Sequence, residues 1–183
     1  MRALSEEAKR AADARLGAAR IVHLGITAGG MIAFAVFFLV ASQPPAGAGG
    51  RMAGDPLAST GGLLAPLFAA FGLMQGLLFA VVPRIVAGRQ LEALARTGTP
   101  ASATEVSRVW WLQSLIGWAL IDAGVLGNSV AFLLAGSELS LAVTLVLLAF
   151  LTLLHPRRAA VRRWVAEGLE HVEALPGPRS EAP

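Results

Sequence analysis

Cysteine is absent from the 183 residues, and so is tyrosine. Without cysteine there can be no disulfide, no thiolate nucleophile and no thiolate metal ligand. Charge is scarce too: Asp, Glu, Lys and Arg make up 15% of the chain, where a water-soluble domain carries about 25%. With 55% apolar residues and a mean hydropathy of +0.64, this is not the composition of an ordinary soluble enzyme. Lysine is nearly missing, since Lys9 is the one exception among fifteen basic residues that are otherwise Arg. That usage fits a GC-rich bacterial genome. No phosphate loop, zinc motif or nucleophile elbow is present.

What the chain does have is long apolar runs. Across 21–42, 61–82 and 109–135 the only formally charged side chain is Asp122, and 139–154 has none. Runs of this length and polarity predict membrane spans. The expectation is an all-α polytopic protein, a four-helix transmembrane bundle with amphipathic cytoplasmic extensions. It forms one domain over 1–175, with spans at 21–42, 61–82, 109–135 and 139–155 and a disordered tail at 176–183. At about 1.5 Å per residue the first three cross a core of roughly 30 Å, whereas the fourth needs the turn beyond His155. Glu6, Glu7 and Asp13 lie among the twenty residues before the first run, which predicts an anchored helix rather than a cleaved signal.

The basic residues then set the orientation. Fourteen lie in the N-terminal arm, the middle loop and the tail, and only Arg51 lies in the opposite connections. Because cytoplasmic loops retain positive charge, both termini and the middle loop are predicted to be inside, in the cytoplasmic (inner) membrane. These arginines flank apolar segments without an interleaved aromatic motif, so the lipid bilayer with its anionic leaflet is the expected counterpart, not nucleic acid.

Local signals mark the ends of elements. The connection 43–60, rich in Gly, Pro and Ala, predicts an irregular loop. Gly136 and Ser137 predict a tight turn, with Ser137 as an N-cap and Glu138 at the positive helix end. Ser102 and Glu105 have capping-box spacing after Thr99 and Pro100. In 157–172, Val161, Trp164, Val165, Leu169 and Val172 fall at helical spacing opposite Arg158, Arg162, Arg163 and Glu170. This segment lies on the membrane surface, packs on the N-terminal arm, or continues helix 4 as a solvated stub. Trp110, Trp111 and Trp164 fit an inner aromatic belt.

Close approach of helices in lipid depends on small residues. Helix 1 carries Gly25, Gly29 and Ala33; helix 2 carries Gly72, Gly76 and Ala80; helix 3 carries Ser114, Gly117, Gly124, Asn128 and Ala131. These seams either pack the subunit or dock another membrane protein or a second copy. Helix 4, largely Leu, Val, Ala and Phe, is expected to face lipid.

Asp122 is the costly exception. Thirteen residues beyond Val109, it falls near the bilayer centre, where a charged Asp costs about 2.5–3.5 kcal/mol. It ties helices together by hydrogen bonding, carries a proton or cation, or contacts a partner subunit. Thr27, Gln75, Gln113 and Ser114 are supporting polar candidates in the inner half, and Asn128 in the outer half. His23 and His155 lie at depths that allow a bis-His haem or metal pair, although interfacial anchoring is the simpler reading. No other cofactor or metal is expected.

Over the hairpin 61–136 the chain resembles, in a limited way, the proton-carrying subunit c family of rotary ATP synthases. The matching residues are Gly72, Gly76 and Ala80, the loop stretch Gln90, Leu91, Glu92, Ala93, Leu94, Ala95 and Arg96, and Ala119, Leu120, Ile121, Asp122 and Ala123. That resemblance implies a proton-carrying role for Asp122, while helices 1 and 4 have no counterpart in the family. The expected function is a small non-enzymatic inner-membrane protein, an accessory or structural subunit of a membrane complex. The alternative is a proton- or cation-translocating protein using Asp122. No acid–base pair or activated nucleophile argues for an enzyme.

Overall fold

The structure is a computed structural model that describes residues 5–42, 56–97 and 99–175, with side chains over 56–65 outside the description. Five helices follow one another: α1 Glu6–Ala41, α2 Pro56–Arg96, α3 Ala103–Ala135, α4 Glu138–Leu153 and α5 Arg158–Ala174. No strand occurs among the described residues. α1, α2 and α3 are each long and apolar enough to cross a membrane. α4 and α5 meet that test only as a pair bent by 74°, so there are three to four candidate spans.

Several boundaries differ from expectation. α2 begins at Pro56, inside the segment expected to be irregular, because a proline's fixed φ suits the first helical turn. The rest of that connection, 43–55, lies outside the described residues, as does the tail 176–183. α2 also runs past Val82 and through Pro83 to Arg96. Hydropathy misses this extension because it carries Arg84, Arg89 and Glu92. α4 has 16 residues, about 24 Å, and stops before Pro156.

The local signals at the ends hold. Ser102 N donates to Glu105 Oε2 at 2.8 Å and Glu105 N donates to Ser102 Oγ at 3.2 Å, completing the capping box that starts α3. These bonds to the ionised form hold the Glu105 carboxyl below its ordinary pKa. Gly136 turns the chain at φ 61°, a left-handed conformation that glycine adopts without steric penalty. Ser137 Oγ then accepts from Ser140 N as the N-cap of α4.

Packing groups the helices into two compact units: one up to Leu24, over Ala80–Gly117 and from His155; the other over Gly25–Phe79 and Trp118–Leu154. In the first, Ala8, Ala12, Leu16 and Ala19 of α1 are buried with Leu91 of α2, Val106 and Trp110 of α3, and Val161, Val165 and Val172 of α5. α5 is therefore no solvated stub. Arg158 and Arg162, one turn apart on α5, both donate to Asp13 of α1, and Arg162 Nη2 reaches Asp13 Oδ2 at 2.6 Å. The two guanidiniums hold the Asp13 carboxyl well below the usual carboxylate range, and the pairing pushes Arg158 further up. Gly168 lets α5 approach α3 closely, since a Cβ there would stand 2.6 Å from Val106 Cγ1. Trp110 belongs to this buried interior, so the aromatic-belt expectation does not hold for it.

In the second unit, α4 buries Ser140, Thr144, Leu147, Leu148 and Leu151 along one face. The expected lipid-facing position of helix 4 therefore applies to one side: Ser140 and Thr144 lie on the buried side, and Leu145, Val146, Phe150 and Leu153 are exposed. Aromatic contacts join α1 to α3 through Phe38 and Phe132, and α2 to α4 through Phe79 and Phe150.

Candidate functional site

The second unit concentrates polar side chains inside an otherwise apolar interior. Thr27 of α1, Gln75 of α2, Asn128 and Ser129 of α3, and Ser140 and Thr144 of α4 are all buried. Three of them bond back to their own helix: Asn128 Nδ2 to Gly124 O at 3.0 Å, Ser129 Oγ to Val125 O at 2.8 Å and Thr144 Oγ1 to Ser140 O at 2.8 Å. Such i−4 bonds satisfy donors without committing the side chain to a neighbouring helix.

Asp122 differs from these. Its Oδ1 is buried and accepts no hydrogen bond from the described residues. It stands 3.0 Å from where a Cβ on Gly30 would lie, with Leu148 and Val125 beside the same glycine. Gly30 thus opens the space on α1 that the carboxyl occupies. Thr27, one turn earlier on that face, is also buried, and its Oγ1 has no partner among the described residues.

The other polar candidates gather on a different side of α3. Gly72 of α2 lies against Asn128 and Val143, with Asn128 Nδ2 2.6 Å from the Cβ position. Gly124 of α3 lies against Leu147 and Gln75 in the same way. Asn128 Oδ1, Gln75 Oε1 and Ser140 Oγ are buried without a described partner. Residues 122 and 124 point about 200° apart around a helix, so the Asp122 seam and the Gln75 and Asn128 seam are separate. Ser114 belongs to the first unit and donates to Trp110 O at 2.9 Å.

The helix-packing glycines divide sharply. Gly72 and Gly124 stand against side chains of neighbouring helices, and Gly117 is buried. Gly25 and Gly29 are exposed, with nothing within 4 Å of a Cβ, and Gly76 meets nothing either, so packing among the described residues does not use them. Spacing by four identified a small-residue stripe on α1 but not which stripe is covered; Gly30 is. The buried positions 8, 12, 16, 19, 23, 27 and 30 carry that information as a continuous alternation of threes and fours.

In the first unit, His23 is buried and its ring meets His155 edge to face, with centroids 5.3 Å apart. Arg20 Nε donates to Pro156 O at 3.5 Å beside them. No group of three or more His, Cys, Asp or Glu side chains suited to a metal ion occurs among the described residues. Comparison with protein-family models, with curated proteins and with solved structures gives no match.

Proposed function

We propose that the chain is a non-enzymatic integral protein of the bacterial inner membrane that serves as an accessory subunit of a membrane complex. In this reading it spans the bilayer four times as a bundle, with α4 finishing its crossing through 155–157 and both termini in the cytoplasm. The fourteen-to-one division of basic residues supports that orientation. The observation that carries the role is the uncovered face of α1. Gly25, Ala28, Gly29, Ile32 and Val36 are all exposed, and a Cβ at Gly25 or Gly29 would enter open space. A shallow small-residue channel with apolar shoulders is what a second transmembrane helix needs for close approach. The test is purification in mild detergent. A stoichiometric membrane partner or second copy is expected, released by Gly25→Leu with Gly29→Leu; a strictly monomeric, partnerless wild-type chain overturns the reading.

A second reading is favoured by one observation, the buried Asp122 Oδ1 without a described donor beside Gly30. In it, Asp122 carries a proton or cation, as the subunit c resemblance implies. Selective carbodiimide labelling of Asp122, suppressed by Na⁺ or raised pH, is then expected. Unchanged proton flux in vesicles containing Asp122→Asn ends this reading.

A further inference from the structure

The first unit contains a groove of about 270 Å³ that plays no part in either reading above. Arg84 and Leu91 of α2, Gln113 of α3, and Trp164, Glu167 and His171 of α5 line it, with three small residues completing the wall. Its volume lies just under the range of about 300–1,000 Å³ for sites that enclose a whole small-molecule ligand. A compact polar group fits better than a nucleotide.

We propose that this groove binds the phosphoethanolamine headgroup of a membrane phospholipid. Among the described residues the lining offers one fixed cation, Arg84, and one carboxylate, Glu167. A ligand with both a phosphate and an ammonium satisfies both at once. A purely anionic headgroup leaves Glu167 opposed, and a simple cation leaves Arg84 opposed. Gln113 selects further: its Oε1 is buried with no described donor, so after a turn of its side-chain torsion it gains from an incoming N–H. A primary ammonium supplies N–H donors, and a quaternary one supplies none. Trp164 and Leu91 give the headgroup's carbon atoms an apolar wall, and tryptophan is at home at headgroup depth.

The lipid origin of the ligand rests on the membrane reading. Arg84 is the second residue past the apolar run ending at 82, and Gln113 is the fifth of the run beginning at 109. Both therefore fall at the cytoplasmic headgroup level. Arg84 and Glu167 are exposed, so replacing them leaves the fold intact.

The test uses the full chain, delipidated in detergent and titrated with phosphatidylethanolamine, phosphatidylcholine, phosphatidylglycerol or free phosphoethanolamine, read by native mass spectrometry and thermal midpoint. Phosphatidylethanolamine is expected to bind preferentially and raise the midpoint. Arg84→Gln and Glu167→Gln should each weaken its binding about tenfold or more, the scale of a lost charge-assisted hydrogen bond. Arg89→Gln, an exposed charge on α2 outside the groove, should leave it unchanged. Equal binding of the choline or glycerol lipid, or indifference to both groove variants, overturns the proposal. So does free phosphoethanolamine competing as well as the lipid, which would identify a soluble ligand. A chain that fails to fractionate with membranes defeats the membrane reading itself; a membrane-resident chain without headgroup preference defeats only the groove.

Discussion

Both compact units use glycine for close approach, Gly168 in the first and Gly30, Gly72 and Gly124 in the second, but the first adds an ionic clamp between its helices. In the first, segments distant in sequence are joined by ionic hydrogen bonds, with Asp13 receiving both Arg158 and Arg162 across separations of 145 and 149 residues. In the second, Gly30, Gly72 and Gly124 let neighbouring side chains press against backbone, and Asn128, Ser129 and Thr144 bond to their own helices. Water makes the difference intelligible. In the membrane reading proposed above, a two-arginine clamp specifies one geometry at low desolvation cost where solvent reaches, and steric fit supplies, within lipid, the contact that the hydrophobic effect does not.

The contrast is broken most forcefully at Gly72. Leucine there pushes a Cβ to 2.6 Å from Asn128 Nδ2 and 2.9 Å from Val143 Cγ1. Overpacking of that kind costs about 1–3 kcal/mol, to be read as a lowered thermal midpoint in detergent. Gly25→Leu, facing open space, should leave the midpoint of the isolated chain unchanged. If the two variants fall together, steric fit at particular glycines is not what holds the second unit.

The next effect belongs to the clamp. Asp13→Asn should speed amide hydrogen exchange throughout α5 while leaving α4 protected. The wild-type clamp should also resist acid. Because the folded state binds the ionised carboxylate, its contribution is complete above the ordinary Asp value of 3.8. It is lost only as pH falls through the lower folded value. α5 protection that disappears well above pH 4, where even an unperturbed Asp remains ionised, would falsify this account.

The smallest effect is at the start of α3. Ser102→Ala removes the cap and should cost about 1 kcal/mol, seen as faster exchange confined to the first turn. Global destabilisation instead would mean that the capping box organises more than its own helix.

Features written locally were legible in the sequence. The apolar cores of α1, α2 and α3, the Ser102 and Glu105 box, the Ser137 cap and the Gly136 turn each depend on residues within one or two turns of each other. The extension of α2 to Arg96 was not legible, because a charged helix beyond an apolar run looks like a loop to hydropathy. Asp13 looked like one more charge in a polar arm; only the fold brings it to α5, although Arg158 and Arg162 already share a face at i,i+4. Gly25 and Gly29 form the more regular stripe, so spacing alone does not single out Gly30. Which stripe is covered depends on Asp122, Val125 and Leu148, more than ninety residues away. The candidate site was therefore half visible: Asp122 stood out by cost, but the separation of its seam from that of Gln75 and Asn128 came from how α3 is surrounded.

The discontinuous make-up of the first unit also imposes an order in time. It draws on the chain up to Leu24, on Ala80–Gly117 and on residues from His155, so it cannot close while the ribosome is still making α4. Asp13 waits for Arg162, 149 residues later, which at about 5–20 residues per second is roughly 7–30 s of synthesis. Throughout that interval the small-residue face of Ala8, Ala12, Leu16 and Ala19 has no α5 to cover it. The nascent arm therefore stays without its α5 cover until α5 itself has been made.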